Sequence, residues 1–155
     1  LLADMGPHYL RLLEMLLGPV RRARLDAARR PIAEMEGESE FELSLELSDA
    51  DTAALEVSWA RDWDRSIPTL SIEGSQGSMS YVMDAPGIAW RRDGRSETLP
   101  VETADPLGRL ALARHFLEVL RGEAEPAVGA AEGLRDLRVV EAAYRSLEKG
   151  GWEEP

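Results

Sequence analysis

The sequence contains no cysteine, which excludes disulfide frameworks, thiol nucleophiles and thiolate metal sites. Lysine is almost as scarce: Lys149 is the single one, and every other basic residue is arginine. No lysine therefore neighbours His8 in the chain. His8 and His115 are the only histidines and stand far apart, with no carboxylate cluster at ligand spacing, so no metal is expected. No apolar run approaches the ~20 residues of a membrane-spanning helix; the longest are broken by Arg11, Glu14 and Gly18. None of the glycines forms a G-x-G-x-x-G, and no strand-turn-helix start is followed by an acidic ribose ligand, so the dinucleotide fingerprint is missing. Positive charge is in deficit, 18 basic against 29 acidic residues for a net charge of −11. Such a field repels nucleic acid and anionic membrane surfaces, and neither is expected as a partner.

What is present reads as one globular domain. A length of 155 residues suffices for a core without staples, and 44% hydrophobic with 30% charged residues lies far from the composition of disorder. Leu1 is not an initiator methionine, and an amphipathic helix is already under way with no capping residue before it. The start therefore reads as a cut, with any targeting segment upstream of it; a cytoplasmic location is the default expectation.

Met5, Tyr9, Leu12, Leu13, Leu16 and Leu17 recur at helical spacing, which predicts a helix over 2–17 with those residues on its apolar face. Gly18 is expected as its left-handed stop, and Pro19 forbids continuation. Ala23, Leu25 and Ala27 alternate with Arg22, Arg24 and Asp26 as in a strand. Phe41, Leu43, Leu45 and Leu47 alternate with charged and hydroxyl residues, the clearest period-two signal in the chain. Leu55, Val57 and Trp59 continue it after a turn. Further strands are expected around Leu70 and Ile72, around Met79 and Tyr81, and on either side of a hairpin turn at Asp93 and Gly94. Pro106 then opens a helix with a stripe of Leu110, Ala113, Phe116, Leu117 and Leu120. A last helix from about Ala130 carries Leu134, Leu137, Val140, Tyr144 and Leu147 and stops at Gly150 and Gly151. The order predicts an α+β fold, a mostly antiparallel open sheet of six or seven strands with helices packed on one face.

Two places offer chemistry. Asp4 and His8 are four apart and share one helical face, so both can point at one ligand. A carboxylate beside an imidazole suits acid-base work, since histidine titrates near neutrality. On spacing alone the commoner reading is a cap for Asp4 and a structural or surface role for His8. The run from Trp59 to Arg65 mixes aromatic rings with paired charges, as a polyol-binding loop does, with Arg61 for hydroxyls and Trp63 for sugar C–H faces. An ordinary connection with Trp59 in the core is the competing reading.

The segment LLADMGPHYLRLLEMLLGPV, in which Asp4, Gly6 and His8 match an Asp-x-Gly-x-His core, resembles the opening of the C-terminal domain of the glucose-fructose oxidoreductase and inositol dehydrogenase family, Gfo/Idh/MocA. The resemblance continues through IEGSQGSM at 72–79, DPLGRLALARHFLEVLRGEAEP at 105–126 and EGLRDLRVVEAAYRSLEKG at 132–150. It implies that residues 1–155 form a single C-terminal substrate and oligomerisation domain. The N-terminal Rossmann domain that binds NAD or NADP, and a lysine from it, would be the partner absent from this chain. The implied activity is hydride transfer between nicotinamide and a secondary alcohol of a sugar, inositol or related polyol. The isolated chain would be inactive. His8 would accept the hydroxyl proton, and Asp4 would orient it or hold a substrate hydroxyl. Arg11 stands where the family often has Asp or Asn, which makes it a substrate-binding candidate for a more acidic substrate. A homo-oligomer through the open sheet face is implied as well. The alternative is a non-catalytic ligand-binding or oligomerisation module of the same fold.

Overall fold

The computed structural model describes residues 1–48, 51–62, 69–82, 85–101, 105 and 108–155. Its elements run α1 (Leu2–Leu17), β1 (Val20–Arg29), β2 (Glu40–Leu47), β3 (Thr52–Ser58), β4 (Leu70–Gly74), β5 (Gly77–Tyr81), β6 (Gly87–Arg92), β7 (Arg95–Pro100), α2 (Arg109–Leu120) and α3 (Ala130–Lys149). The chain divides into two compact units, Leu1–Arg61 with Ala127–Pro155, and Asp62–Pro126. Every described strand pair is antiparallel, in a three-stranded sheet β1-β2-β3 and a four-stranded sheet β4-β5-β6-β7. The expected open antiparallel α+β fold is thus realised as seven strands in two sheets.

In the first unit the period-two signal of β2 is met in full: Phe41, Leu43, Leu45 and Leu47 are all buried to within 1% of complete. Each such side chain contributes ~1.5–3 kcal/mol by leaving water. Facing them across β1 are Ala23 and Leu25, in register with Leu45 and Leu43. On β3, Leu55 and Val57 are only half-buried, and Trp59, beyond the strand, is 49% exposed.

The helices enter this core by faces other than those expected. On α1 the buried residues are Leu2, Gly6, Leu10 and Leu13, whereas Leu12, Met15 and Leu16 are exposed. On α3 they are Asp136, Val139, Val140, Ala142, Ala143 and Ser146, with Leu134, Leu137 and Leu147 outside. The physical reason is close approach. A Cβ added at Gly6 would lie 2.8 Å from Leu2 Cδ1 and 3.8 Å from Val140 Cγ2. Small residues let the backbones draw together, and the Ser146 hydroxyl accepts the Leu25 N–H at 2.7 Å. Gly18 ends α1 with φ 87° and ψ 175°, a positive-φ extended conformation instead of the left-handed helical one. Beyond α3, Glu153 exchanges two backbone bonds with Ala23, and Trp152 lies beneath the guanidiniums of Arg24 (4.9 Å) and Arg22 (5.7 Å). Sequence reading ended at Gly151 and missed this edge.

In the second unit the Asp93-Gly94 turn has φ 51° and 73° at its two central residues, as a type I′ hairpin requires. Gly77 is needed for space: a Cβ there would stand 2.1 Å from the Arg91 carbonyl oxygen. Ile72, Met79 and Trp90 lie in register across three strands. Helix α2 begins at Arg109, with the Asp105 carboxylate accepting the Ala111 N–H at 2.8 Å; Pro106, expected to open it, lies outside the described residues. The stripe expected on α2 is exposed, since no residue of that helix is buried.

The charged face of the first sheet is paired within the chain. Arg22 holds Glu46 through both carboxylate oxygens, and Arg24 holds Asp26 at 2.6 Å. Glu40 sits between two arginines, 2.8 Å from Arg29 and 2.8 Å from Arg61. Hydrogen bonds from Arg61 and then Arg29 bring its carboxyl down to about 2 from an ordinary 4.5. A depressed folded-state value means that stability from this ionisation is complete above the unfolded-state value and disappears as pH falls through the folded one. Glu40→Gln should therefore lower the urea midpoint at neutral pH, and its deficit should close between pH 4.5 and about 2. Urea titrations across that range check this; a deficit independent of pH would remove the charge from the explanation.

Candidate active site

The first turns of α1 display the residue pair that the sequence singles out. Asp4 and His8 are both exposed on one face, and among the described residues neither side chain has a hydrogen-bond or ion-pair partner. Pro7 lies between them in the second turn, where its missing N–H leaves the Ala3 carbonyl without a helical donor. Below His8 the same face continues as Leu12 and Met15, exposed to 43% and 73%.

The helix is anchored from two sides. At its N-terminus the Glu38 carboxylate oxygen Oε1 accepts the Leu2 N–H at 2.7 Å and the Tyr144 hydroxyl at 2.8 Å. Burial, followed by the bond to Glu38, pushes the Tyr144 phenol up to about 12. Tyr144 therefore remains a hydroxyl donor at any neutral pH.

One turn below His8, Arg11 is engaged by α3. Its Nη2 donates to Asp136 Oδ1 at 2.6 Å and to the Glu132 carbonyl at 2.9 Å, and its Nε donates to Asp136 Oδ2 at 3.2 Å. Glu14 lies 3.3 Å from Nη1. Arg11 is thus bound to a neighbouring helix, and the structure gives it a packing role where the sequence suggested substrate contact. Arg61 likewise lies on the charged sheet face, against Glu40 and Glu56. Trp63 lies outside the described residues. Of the residues singled out, Asp4 and His8 share an exposed helical face, while Arg11 and Arg61 turn to other partners. Glu38 and Tyr144 were missed, having no local signal at a separation of 106 residues.

A concavity of ≈ 490 Å³ lies on the second unit's sheet among Ser71, Glu73, Ser78, Arg91 and Thr98, and contains neither Asp4 nor His8. No group of three metal-ligating side chains comes together among the described residues. Among the described residues the strand pairs are antiparallel and the glycine-flanked turn at Ser75 and Gln76 joins β4 to β5, so no helix N-terminus receives a pyrophosphate there. No described helix is long and apolar enough to cross a membrane.

Residues 1–154 match the family described as "Oxidoreductase family, C-terminal alpha/beta domain". No curated protein gives a significant match. Among solved structures, a protein from Desulfitobacterium hafniense provisionally named an NADPH-dependent oxidoreductase is 25% identical with a TM-score of 0.78, over 97% of this chain and 46% of that one. An oxidoreductase from Agrobacterium radiobacter, solved with NAD+, L-tartaric acid and magnesium, is 20% identical with a TM-score of 0.80, over 99% of this chain and 48% of that one. The WlbA dehydrogenase from Bordetella pertussis, solved with NADH and UDP-GlcNAcA, is 20% identical with a TM-score of 0.62, over 98% of this chain and 44% of that one. The chain spans about half the length of each. With the family match running from end to end, the chain belongs to the Gfo/Idh/MocA oxidoreductases, as a C-terminal α/β domain of that family.

Proposed function

We propose that this chain is the substrate-side domain of a two-domain NAD(P)-dependent oxidoreductase acting on a secondary alcohol of a sugar, inositol or related polyol. The observation that carries the reading is the open pair Asp4 and His8, adjacent on one helical face and without partners among the described residues. Oxidising an alcohol requires removal of its hydroxyl proton, and His8 is the group this domain offers for it, with Asp4 orienting the imidazole or holding a substrate hydroxyl. NAD or NADP, held mainly by a Rossmann domain of the same polypeptide, would take the hydride. Arg11 and Arg61 drop out of the substrate set, because their guanidiniums already face carboxylates. A homo-oligomer through the open sheet face belongs to the same reading. The test is nicotinamide reduction by the two-domain polypeptide with a panel of sugars, inositols and acidic polyols. Turnover of at least one secondary alcohol is expected; ligand binding without turnover across the panel would favour the non-catalytic module instead.

A further inference from the structure

The face of α1 that carries Asp4 and His8 does not end with them. At 3.6 residues per turn, Asp4, Met15, His8 and Leu12 fall in that rotational order within an arc of ~80°. The stripe is polar in the first half of the helix and apolar in the second, where Leu12 and Met15 are exposed with Leu16 beside them. The opposite side of α1 is well held, since Gly6, Leu10 and Leu13 are buried, so the stripe is open by rotation and not because the helix is loose. Arg11 joins the middle of α1 to the turns of α3 that contain Glu132 and Asp136, and in those turns Leu134 and Leu137 are exposed too. A single apolar side chain on a surface needs no partner. Large aliphatic residues turned to solvent by both members of a packed helix pair, at the turns where they join, mark a contact surface.

What covers that surface follows from His8. On the functional reading above, on which this inference rests, His8 takes a hydroxyl proton while a nicotinamide takes the hydride, so both must reach one substrate carbinol. The described residues include no turn that cradles a dinucleotide, and the nicotinamide is brought by another domain. A domain that reaches His8 also meets the next turns of the same stripe, because Met15 lies only ~10 Å further along the axis at 1.5 Å per residue. We propose that Leu12, Met15 and Leu16, with Leu134 and Leu137, form the docking surface for the nicotinamide-binding domain, an apolar contact that fixes the cofactor relative to His8.

Methionine oxidation reads the contact without altering the protein, since a thioether reacts with peroxide according to its exposure. Met15, 73% exposed, should oxidise rapidly in the 155-residue chain and about fivefold or more slower in the two-domain polypeptide, as peptide mass spectrometry measures it. Met15→Glu should leave the urea midpoint of the 155-residue chain unchanged, because the side chain is already in water there. In the two-domain polypeptide the same charge falls in the contact and should lower kcat about tenfold, whereas Met15→Leu should keep wild-type turnover. Equal oxidation rates in the two polypeptides would overturn the docking surface. Slow oxidation already in the 155-residue chain would overturn it too, and sedimentation as a dimer would then assign the stripe to a second copy. A protected Met15 with full turnover in Met15→Glu, in an enzyme that His8→Ala disables, would overturn the fixing of the cofactor by this contact. If His8→Ala is silent, the functional reading falls on that result alone, while the oxidation rates still decide whether a second domain covers the stripe.

Discussion

Replacing His8 with alanine in the two-domain polypeptide is expected to lower turnover by ~10²-fold or more while leaving cofactor binding unchanged, the loss typical of a missing general base. The separation follows from where His8 stands. It is exposed on α1, its side chain has no partner among the described residues, and those residues include no dinucleotide cradle that its loss could disturb. Removing it should therefore cost little stability. The defect should lie in kcat, because a proton acceptor acts in the transition state and binds the ground state weakly. Asp4→Asn should give a smaller loss, since an amide can still hold a substrate hydroxyl by hydrogen bonding. Steady-state kinetics with the best substrate of the panel, beside calorimetric titration with NAD and NADP, is the measurement. Full turnover in His8→Ala with that substrate would remove this residue from the mechanism.

Much of the fold was legible because strand periodicity is local. Phe41, Leu43, Leu45 and Leu47 announce both the strand and its buried face, and Asp93 with Gly94 announces its turn, since only certain residues accept positive φ in succession. The helices were legible as helices but not in their rotation. A large aliphatic residue dominates any hydrophobic count, yet α1 faces Val140 of α3 through Gly6, α3 buries Ala142, Ala143 and Ser146, the last against Leu25 of β1, and Leu12, Leu134 and Leu137 stay outside. Close backbone approach favours small residues, and no periodicity weighted by hydrophobicity registers it. The pair Asp4 and His8 was legible for the same reason as the strands, being a spacing of four on one element. The groups holding that element were not, because Glu38, Tyr144 and Asp136 lie 36, 106 and 125 residues from the partners named for them. Arg11 follows the same rule: one turn below a histidine it reads as part of the site, and its bonds to Asp136 and Glu132 of the third helix have no local signal.

That helix contact gives the second large effect. Asp136 is 5% exposed and Arg11 16%, and they meet through two hydrogen bonds. Burial pushes the Asp136 carboxyl above its ordinary value even with Arg11 beside it pulling the other way, so the aspartate is held ionised at a cost. Taking away the guanidinium leaves that cost unopposed and strips the Glu132 carbonyl of a donor. Arg11→Ala should therefore destabilise the chain by ~3 kcal/mol, the low end for breaking a buried pair, since Arg11 keeps some contact with water. The double variant Arg11→Met with Asp136→Leu should recover most of the loss, because it removes both charges and returns apolar volume to the α1–α3 contact. The sign with pH is fixed by the same argument. A carboxyl raised in the folded state penalises folding only when ionised, so the Arg11→Ala deficit should be complete near neutrality, shrink as pH falls through the raised folded-state value, and be gone below the unfolded-state carboxyl range. Urea unfolding of the two variants and the parent, followed by circular dichroism at neutral and acid pH, measures all three. A single variant within ~0.5 kcal/mol of the parent, the usual size of a surface substitution, would show that Asp136 finds water when Arg11 leaves and that this contact does not fix α1.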